Sequence, residues 1–319
     1  MMVSHYAVHV PHAARADLIE KYRRLPRGKY LKDEDYLPTD RISEKNKTSH
    51  WRIQYAAMLE QVDEGLGAIS AALKKTGQLG NTYLIFTSDN GGGLTPNGSL
   101  RAGKASLYEG GLRVPFVVAG PGVQPGVQCD VPINQWDLLP TLHDYSKSPH
   151  SLPKGLDGGS LRSVIQKGNK SVVSRPTEGF IYHYPCYFAP PLTVIRLGDY
   201  KLMEHLLTGE QKLFNVARDY QEQHNLIKKY PKKAAELKVK MSTYLDSIDA
   251  ENIQEIYQAR LEELDRFESR AKQAHKKRIA KAGADKALRA EADARLAADL
   301  ARLRRNRMQC RENMRGTEF

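Results

Sequence analysis

Asp89 and Asn90 are adjacent oxygen donors that close a short apolar run, and Lys104 follows them in a glycine-rich stretch. Carboxylate and amide oxygens suit a hard divalent ion such as Ca²⁺ or Mg²⁺. An ammonium beside such an ion can meet an anionic ester oxygen, so metal and lysine would share the charge that develops on a transferring sulfuryl or phosphoryl group. This set of charges alone does not separate sulfate from phosphate esters. Asp-Asn-Gly by itself is a common turn whose side chains bond the local backbone. The metal-site reading rests on what surrounds it, from Thr82 to Pro115.

The elements that must hold these groups are legible from pattern. Tyr83–Thr87 is rich in β-formers and stops at Ser88-Asp89-Asn90-Gly91-Gly92-Gly93, which predicts a buried parallel strand ending in a loop. Ligands collect at that edge of open α/β sheets. Upstream, Ile53, Ala56, Ala57, Leu59, Val62, Leu66, Ile69 and Leu73 follow helical spacing across Trp51–Lys75, and Gly77 and Gly80 end that helix. Ser4–Val10 reads as the end of a strand, Ala14–Tyr22 as the start of a short helix, and Leu25–Thr48 as a polar surface excursion. Val114–Gly120 predicts another buried strand and Gln135–Tyr145 a helix. Thr193–Leu197, Tyr200–Leu206 and Gln211–Val216 are β-like runs separated by short turns, which predicts an antiparallel meander with a helix over Pro231–Leu245 across it.

With these residues in view the chain resembles the sulfatase family of the alkaline phosphatase superfamily. The resemblance is carried by Thr87-Ser-Asp-Asn-Gly91, by Gly103-Lys104, by Glu109-Gly-Gly-Leu-Arg113-Val-Pro115, and by Ser4–Pro11; it covers roughly residues 1–250. It implies an α/β fold, with an alkaline-phosphatase-like sheet flanked by helices and a small antiparallel C-terminal subdomain. It implies Asp89 and Asn90 as calcium ligands, Lys104 on the sulfate, and His9 on the sulfate or leaving oxygen. Glu109 and Arg113 would buttress the loop through a salt bridge. Ile181–Tyr187 resembles a segment that reaches over the entrance in carbohydrate sulfatases, which implies His183 as a pocket-lining residue. The implied substrates are sulfated carbohydrates or aryl sulfates.

The family's nucleophile is a formylglycine made from the first residue of Cys-x-Pro-Ser-Arg or a serine version. Cys129, Cys186 and Cys310 all stand in other contexts. The family's N-terminal paired aspartates are not found either, so the expectation is a chain corresponding to the second half of a sulfatase, with little turnover by itself. Organisation then reads as residues 1–170 from the catalytic α/β domain, 171–250 as the small β subdomain and 251–319 as a basic, helical tail.

Composition supports a globular body: 319 residues, 40% hydrophobic and 27% charged. Three scattered cysteines make neither a disulfide framework nor a zinc site. No basic segment followed by an apolar one opens the chain, and no run approaches membrane-spanning length. Of the net charge of +12, residues 259–319 carry more than half, with 17 Lys+Arg against 10 Asp+Glu. Alanine and leucine between these charges favour a long helix, with Leu288, Ala292, Leu296, Leu300 and Leu303 as one apolar stripe. A helix partner or a polyanion would suit that segment; it lacks the aromatic interleaving and motifs of nucleic-acid binders.

Overall fold

The computed structural model describes residues 1–24, 50–93, 97–185, 190–251 and 253–315; the polar excursion Leu25–Thr48 and Cys186 lie outside them. In chain order the elements are α1 (Ala16–Arg24), α2 (His50–Lys75), β1 (Leu84–Thr87), the four-residue α3 (Glu109–Leu112), β2 (Phe116–Ala119), α4 (Leu138–Ser146), α5 (Arg162–Lys167), β3 (Phe180–Tyr184), β4 (Leu192–Leu197), β5 (Tyr200–His205), β6 (Gln211–Asn215), α6 (Pro231–Ser247), α7 (Ile253–Ala282) and α8 (Lys286–Arg315). They form two compact units. The first comprises Met1–Thr87, Phe116–Pro132 and Arg162–Val172, and the second Ser88–Pro115, Ile133–Leu161 and Val173–Phe319.

In the first unit α2 follows the predicted apolar spacing, and Ala57 and Met58 are buried together with Leu18 of α1. Ion pairs tie α2 to α1 and to the residue just before it: Lys21 to Glu60 at 2.5 Å and Arg15 to Glu64 at 2.6 Å. Gly77 stops α2 in the left-handed conformation (φ 71°), and the amides of Gly77 and Gln78 return to the carbonyls of Lys74 and Leu73. The strand predicted over Ser4–Val10 is a turn, closed by His9 N to Tyr6 O at 2.9 Å. No described strand offers these residues a ladder, and the Tyr6 hydroxyl bonds Val10 O instead, at 2.6 Å.

β1 forms where predicted but pairs antiparallel with β2, Leu84 opposite Ala119 and Thr87 opposite Phe116. The expected parallel direction needs a crossover of a dozen or more residues, usually helical. The only described helix between the two strands is α3, four residues long, and the chain doubles back. Phe86 and Val117 alternate onto an exposed face, so neither strand has the two-sided burial that a parallel core strand shows.

The second unit is built on the sheet β3-β4-β5-β6, antiparallel throughout. The meander of β4, β5 and β6 is as predicted, and β3 adds a strand at its edge. Both faces are covered. Ile195, Leu202 and Leu213 pack against Ala234, Leu237 and Met241 of α6. On the other side Val194, Met203 and Phe214 pack against Leu107 and Tyr108 of the glycine-rich loop. The tail is not one long helix but an antiparallel pair, α7 and α8, broken at Gly283 (φ 56°). Asp285 caps the restart by accepting from the amides of Ala287 and Leu288. Ala292 and Leu303 of the predicted stripe are buried, whereas Leu288 is exposed. No described helix is long and apolar enough to cross a membrane.

His205 ends β5 and is 1% exposed. Its Nδ1 accepts from the amides of Leu207 and Thr208, both at 3.3 Å, and burial holds its pKa below the ordinary 6.5, against a smaller opposing pull from Glu210. The unfolded chain therefore takes up this proton first, and stability contributed by neutral His205 falls as pH drops through 6.5. Thermal melts at pH 7.5 and 5.5 should show the wild type losing more stability than His205→Asn, whose amide oxygen keeps the acceptor but cannot titrate.

Candidate functional site

The second unit places Asp89, Asn90 and Lys104 on one loop, Ser88–Pro115, wound so closely that side chains are excluded from its crossings. A Cβ added to Gly91 would stand 1.8 Å from the Gly110 carbonyl oxygen, and one on Gly111 2.1 Å from that of Ser106. The glycines are required here for close approach of backbone to backbone. Gly91 N donates to Gly111 O at 3.0 Å, and Lys104 N to Gly92 O at 3.1 Å. Asn97 fastens the same point: its Oδ1 accepts from Gly92 N at 2.8 Å, and its Nδ2 donates to Gly92 O and Ala102 O, each at 2.9 Å. Lys104 is thus pinned through its backbone two residues beyond Asn90, and its aliphatic stem passes Gly93.

Asp89 and Lys104 are exposed and Asn90 is half-buried. The Asp89 carboxylate accepts from Ser88 Oγ at 3.3 Å. Asn90 Nδ2 donates to Gly91 O at 2.9 Å, which commits the amide's nitrogen to the loop and leaves its oxygen as the branch a hard cation takes. Calcium takes about six to eight oxygens. Among the described residues no cluster of three or more His, Cys, Asp or Glu stands ready to hold a metal. Asp89 and Asn90 therefore fit part of a coordination shell and do not complete one.

The loop is clamped to the sheet by charge. Strand alternation puts Lys201 on the same face as Met203, beneath Glu109, where it is fully buried. Lys201 Nζ lies 2.9 Å from Glu109 Oε1 and 2.8 Å from Glu222 Oε1. The second oxygen of Glu222 accepts from Glu109 N at 2.7 Å, and that of Glu109 takes Arg113 Nε at 2.5 Å, the predicted buttress. Burial opposes ionisation of Glu109, but Lys201 and Arg113 outweigh it and hold its carboxyl below the usual range. For Glu222 burial wins over Lys201 and pushes the carboxyl up. Glu222 holds a left-handed backbone (φ 55°), and its carbonyl accepts from Arg101, whose guanidinium lies 4.1 Å above the Tyr108 ring.

The other two expected site residues are not brought to this loop by the second unit. His183 shares its face of β3 with Ile181, the side that packs against α6, whereas Tyr182 and Tyr184 occupy the loop side. Its Nε2 is 3.1 Å from Glu251 O. His9 belongs to the first unit, where Nδ1 lies 2.9 Å from Val10 O and 3.3 Å from Tyr6 Oη. Sequence reasoning missed Asn97, Lys201 and Glu222. For Lys201 one signal existed, a lysine that alternation puts on the same strand face as Met203; a lone Glu222 in an irregular segment carried none.

Comparison with known proteins matches the sulfatase model over residues 1–147 and the N-sulphoglucosamine sulphohydrolase C-terminal model over residues 102–251. Arylsulfatase K of Danio rerio is 30% identical over 223 residues, 66% of this chain and 42% of its own length. The crystal structure of Ps i-CgsB in complex with k-i-k-neocarrahexaose is similar at 26% identity and TM-score 0.59, over 75% of this chain and 48% of that one. The structure of BT4656 in complex with its substrate D-glucosamine-2-N,6-O-disulfate is similar at 25% identity and TM-score 0.53, over 62% and 41%. This chain spans less than half the length of each.

The clamp predicts a specific stability result. Lys201→Met leaves two buried carboxylates without their shared cation and should cost about 3–5 kcal/mol in urea unfolding. Adding Glu222→Gln should recover part of that loss, and strict additivity of the two substitutions would show that no coupling exists.

Proposed function

The chain belongs to the sulfatase family, and from that premise we propose that its glycine-wound loop grips the cation and the anionic group of a sulfate ester. Asp89 and Asn90 supply oxygen donors to Ca²⁺, with Mg²⁺ the poorer fit because it demands tighter geometry. Lys104 contacts the sulfate, and His9 is the residue that the family resemblance implies on the sulfate or leaving oxygen. The observation that supports this reading is the Lys104-to-Gly92 backbone bond, which fastens the lysine's backbone to the loop two residues beyond Asn90. Bound calcium would polarise the ester oxygens, and Lys104 would offset negative charge developing there.

The substrate class we propose is sulfated carbohydrate. What supports it is the pair of similar structures that hold a carrageenan-type hexaose and a glucosamine disulfate. These 319 residues contain no Cys-x-Pro-Ser-Arg or serine version, so the proposal assigns this polypeptide the grip on metal and sulfate and leaves the formylglycine step outside residues 1–319. We propose His183 as a residue that helps line the substrate pocket, on the family resemblance of Ile181–Tyr187 alone.

Two outcomes test this. Hydrolysis of a chromogenic aryl sulfate by the purified chain is expected near background; robust turnover would contradict the assignment. With two donors the affinity for Ca²⁺ should be weak, on the order of 1 mM, so 10 mM Ca²⁺ should stabilise the fold by about 1.4 kcal/mol. Asp89→Ala should abolish that stabilisation, and an undiminished effect in the variant would place the ion elsewhere.

A further inference from the structure

The helical hairpin has a charge distribution that folding does not explain. Nearer its root, ion pairs join the two helices and the turns within them: Arg260 with Glu263, Lys272 with Glu268, and Arg307 of α8 with Asp265 and Glu268 of α7. Around the turn the balance breaks. Residues 273–290 carry six Lys+Arg, at 276, 277, 278, 281, 286 and 289, against one carboxylate, Asp285. Asp285 is committed to capping α8. Among the described residues Lys276, Lys277, Lys281 and Lys286 make no ion pair, and all four are exposed.

Helix electrostatics accounts for little of this pattern. Lys281 in the last turn of α7 complements its dipole, but Lys286 and Arg289 stand in the first turn of α8, which holds no acidic residue, and there a positive charge is unfavourable. Two helix ends that meet at Gly283 therefore concentrate unpaired cations at one tip, partly against the local preference of the chain. α7 and α8 are each 30 residues, about 45 Å long, so the tip stands well along a rod from the residues that root it at Ile253 and Cys310.

We propose that this tip is an accessory docking site for a sulfated polysaccharide, holding the polyanionic chain through its repeating sulfates. The proposal rests on the sulfated-carbohydrate reading for its choice of polyanion. Residues 273–290 contain no Phe, Tyr or Trp on which an unpaired base could stack, which favours polysaccharide over nucleic acid. The interaction is electrostatic, so it weakens steeply with salt through counterion release.

The test uses the full 319-residue chain and heparin as the probe, with binding measured by calorimetry across a salt series. The quadruple variant K276Q/K277Q/K281Q/K286Q should lose at least tenfold in affinity, and its log K against log[salt] slope should be shallower by roughly four. A charge-matched control at the opposite end of α8, R302Q/R304Q/R305Q/R311Q, should lose less than threefold, and unchanged circular dichroism melts should show that both variants fold. De-sulfated heparin should bind at least tenfold more weakly than heparin. Equal losses in the two variants would reduce the effect to net charge, and duplex DNA bound as tightly as heparin would make the tip a nucleic-acid surface; either result overturns the proposal. None of these readouts depends on ester hydrolysis or on calcium, so the tip and the glycine-wound loop fail separately.

Discussion

One buried ammonium carries the architecture of the second unit. Lys201 sits between Glu109 and Glu222 with almost no contact with water, and through them its strand joins a four-residue helix to an irregular segment 113 residues further along the sequence. Burying a charge is tolerable only when it is paired and hydrogen-bonded. The two carboxylates meet that condition in different ways. Glu109 shares its charge with Arg113 at the surface, while Glu222 is bonded to the Glu109 amide and is pushed toward its protonated form by burial. What the cluster secures is position: it sets the end of the glycine-wound loop on a rigid sheet, with Tyr108 packed on Phe214 at a ring-centroid distance of 6.3 Å. Everything proposed for Asp89, Asn90 and Lys104 depends on that loop having one conformation.

The loop itself is an example of geometry enforced by absence. Gly91 and Gly111 carry ordinary backbone angles and are needed because a carbonyl occupies the space a methyl group would take. Asn97 then satisfies both backbone groups of Gly92 with one side-chain amide, doing for an irregular segment what a strand neighbour does in a sheet. A metal and sulfate site needs this kind of support, since a cationic side chain on a loose loop would cost entropy each time it met its ligand.

Elements with strong local signals were legible in the sequence. The apolar periodicity of α2, the glycine that stops it, the short turns of the β4–β6 meander and the proline start of α6 are all set by neighbours a few residues away. The Arg113–Glu109 pair was legible for the same reason, being one helical turn apart. What was not legible depends on distant partners. The direction of β1 is decided by which strand it meets, and the apolar run Tyr83–Thr87 reads identically in either case. The tail's periodicity survives the break at Gly283, so one stripe of leucines could not show that the chain reverses there. Ser4–Val10 has the composition of a strand but finds no ladder among the described residues. Lys201 and Glu222 become partners only once β5 and the segment after β6 have been folded together.

We propose the clamped loop, with Asp89, Asn90 and Lys104, as one site for a cation and a sulfate. A crystal structure of the chain grown with millimolar calcium and sulfate tests it most directly. The expected result is a calcium ion held by the Asp89 carboxylate and Asn90 Oδ1 at about 2.4 Å, with the Lys104 ammonium on an adjoining sulfate. Asp89 turned to solvent, far from Asn90 and Lys104, with neither ion on the loop, would contradict it.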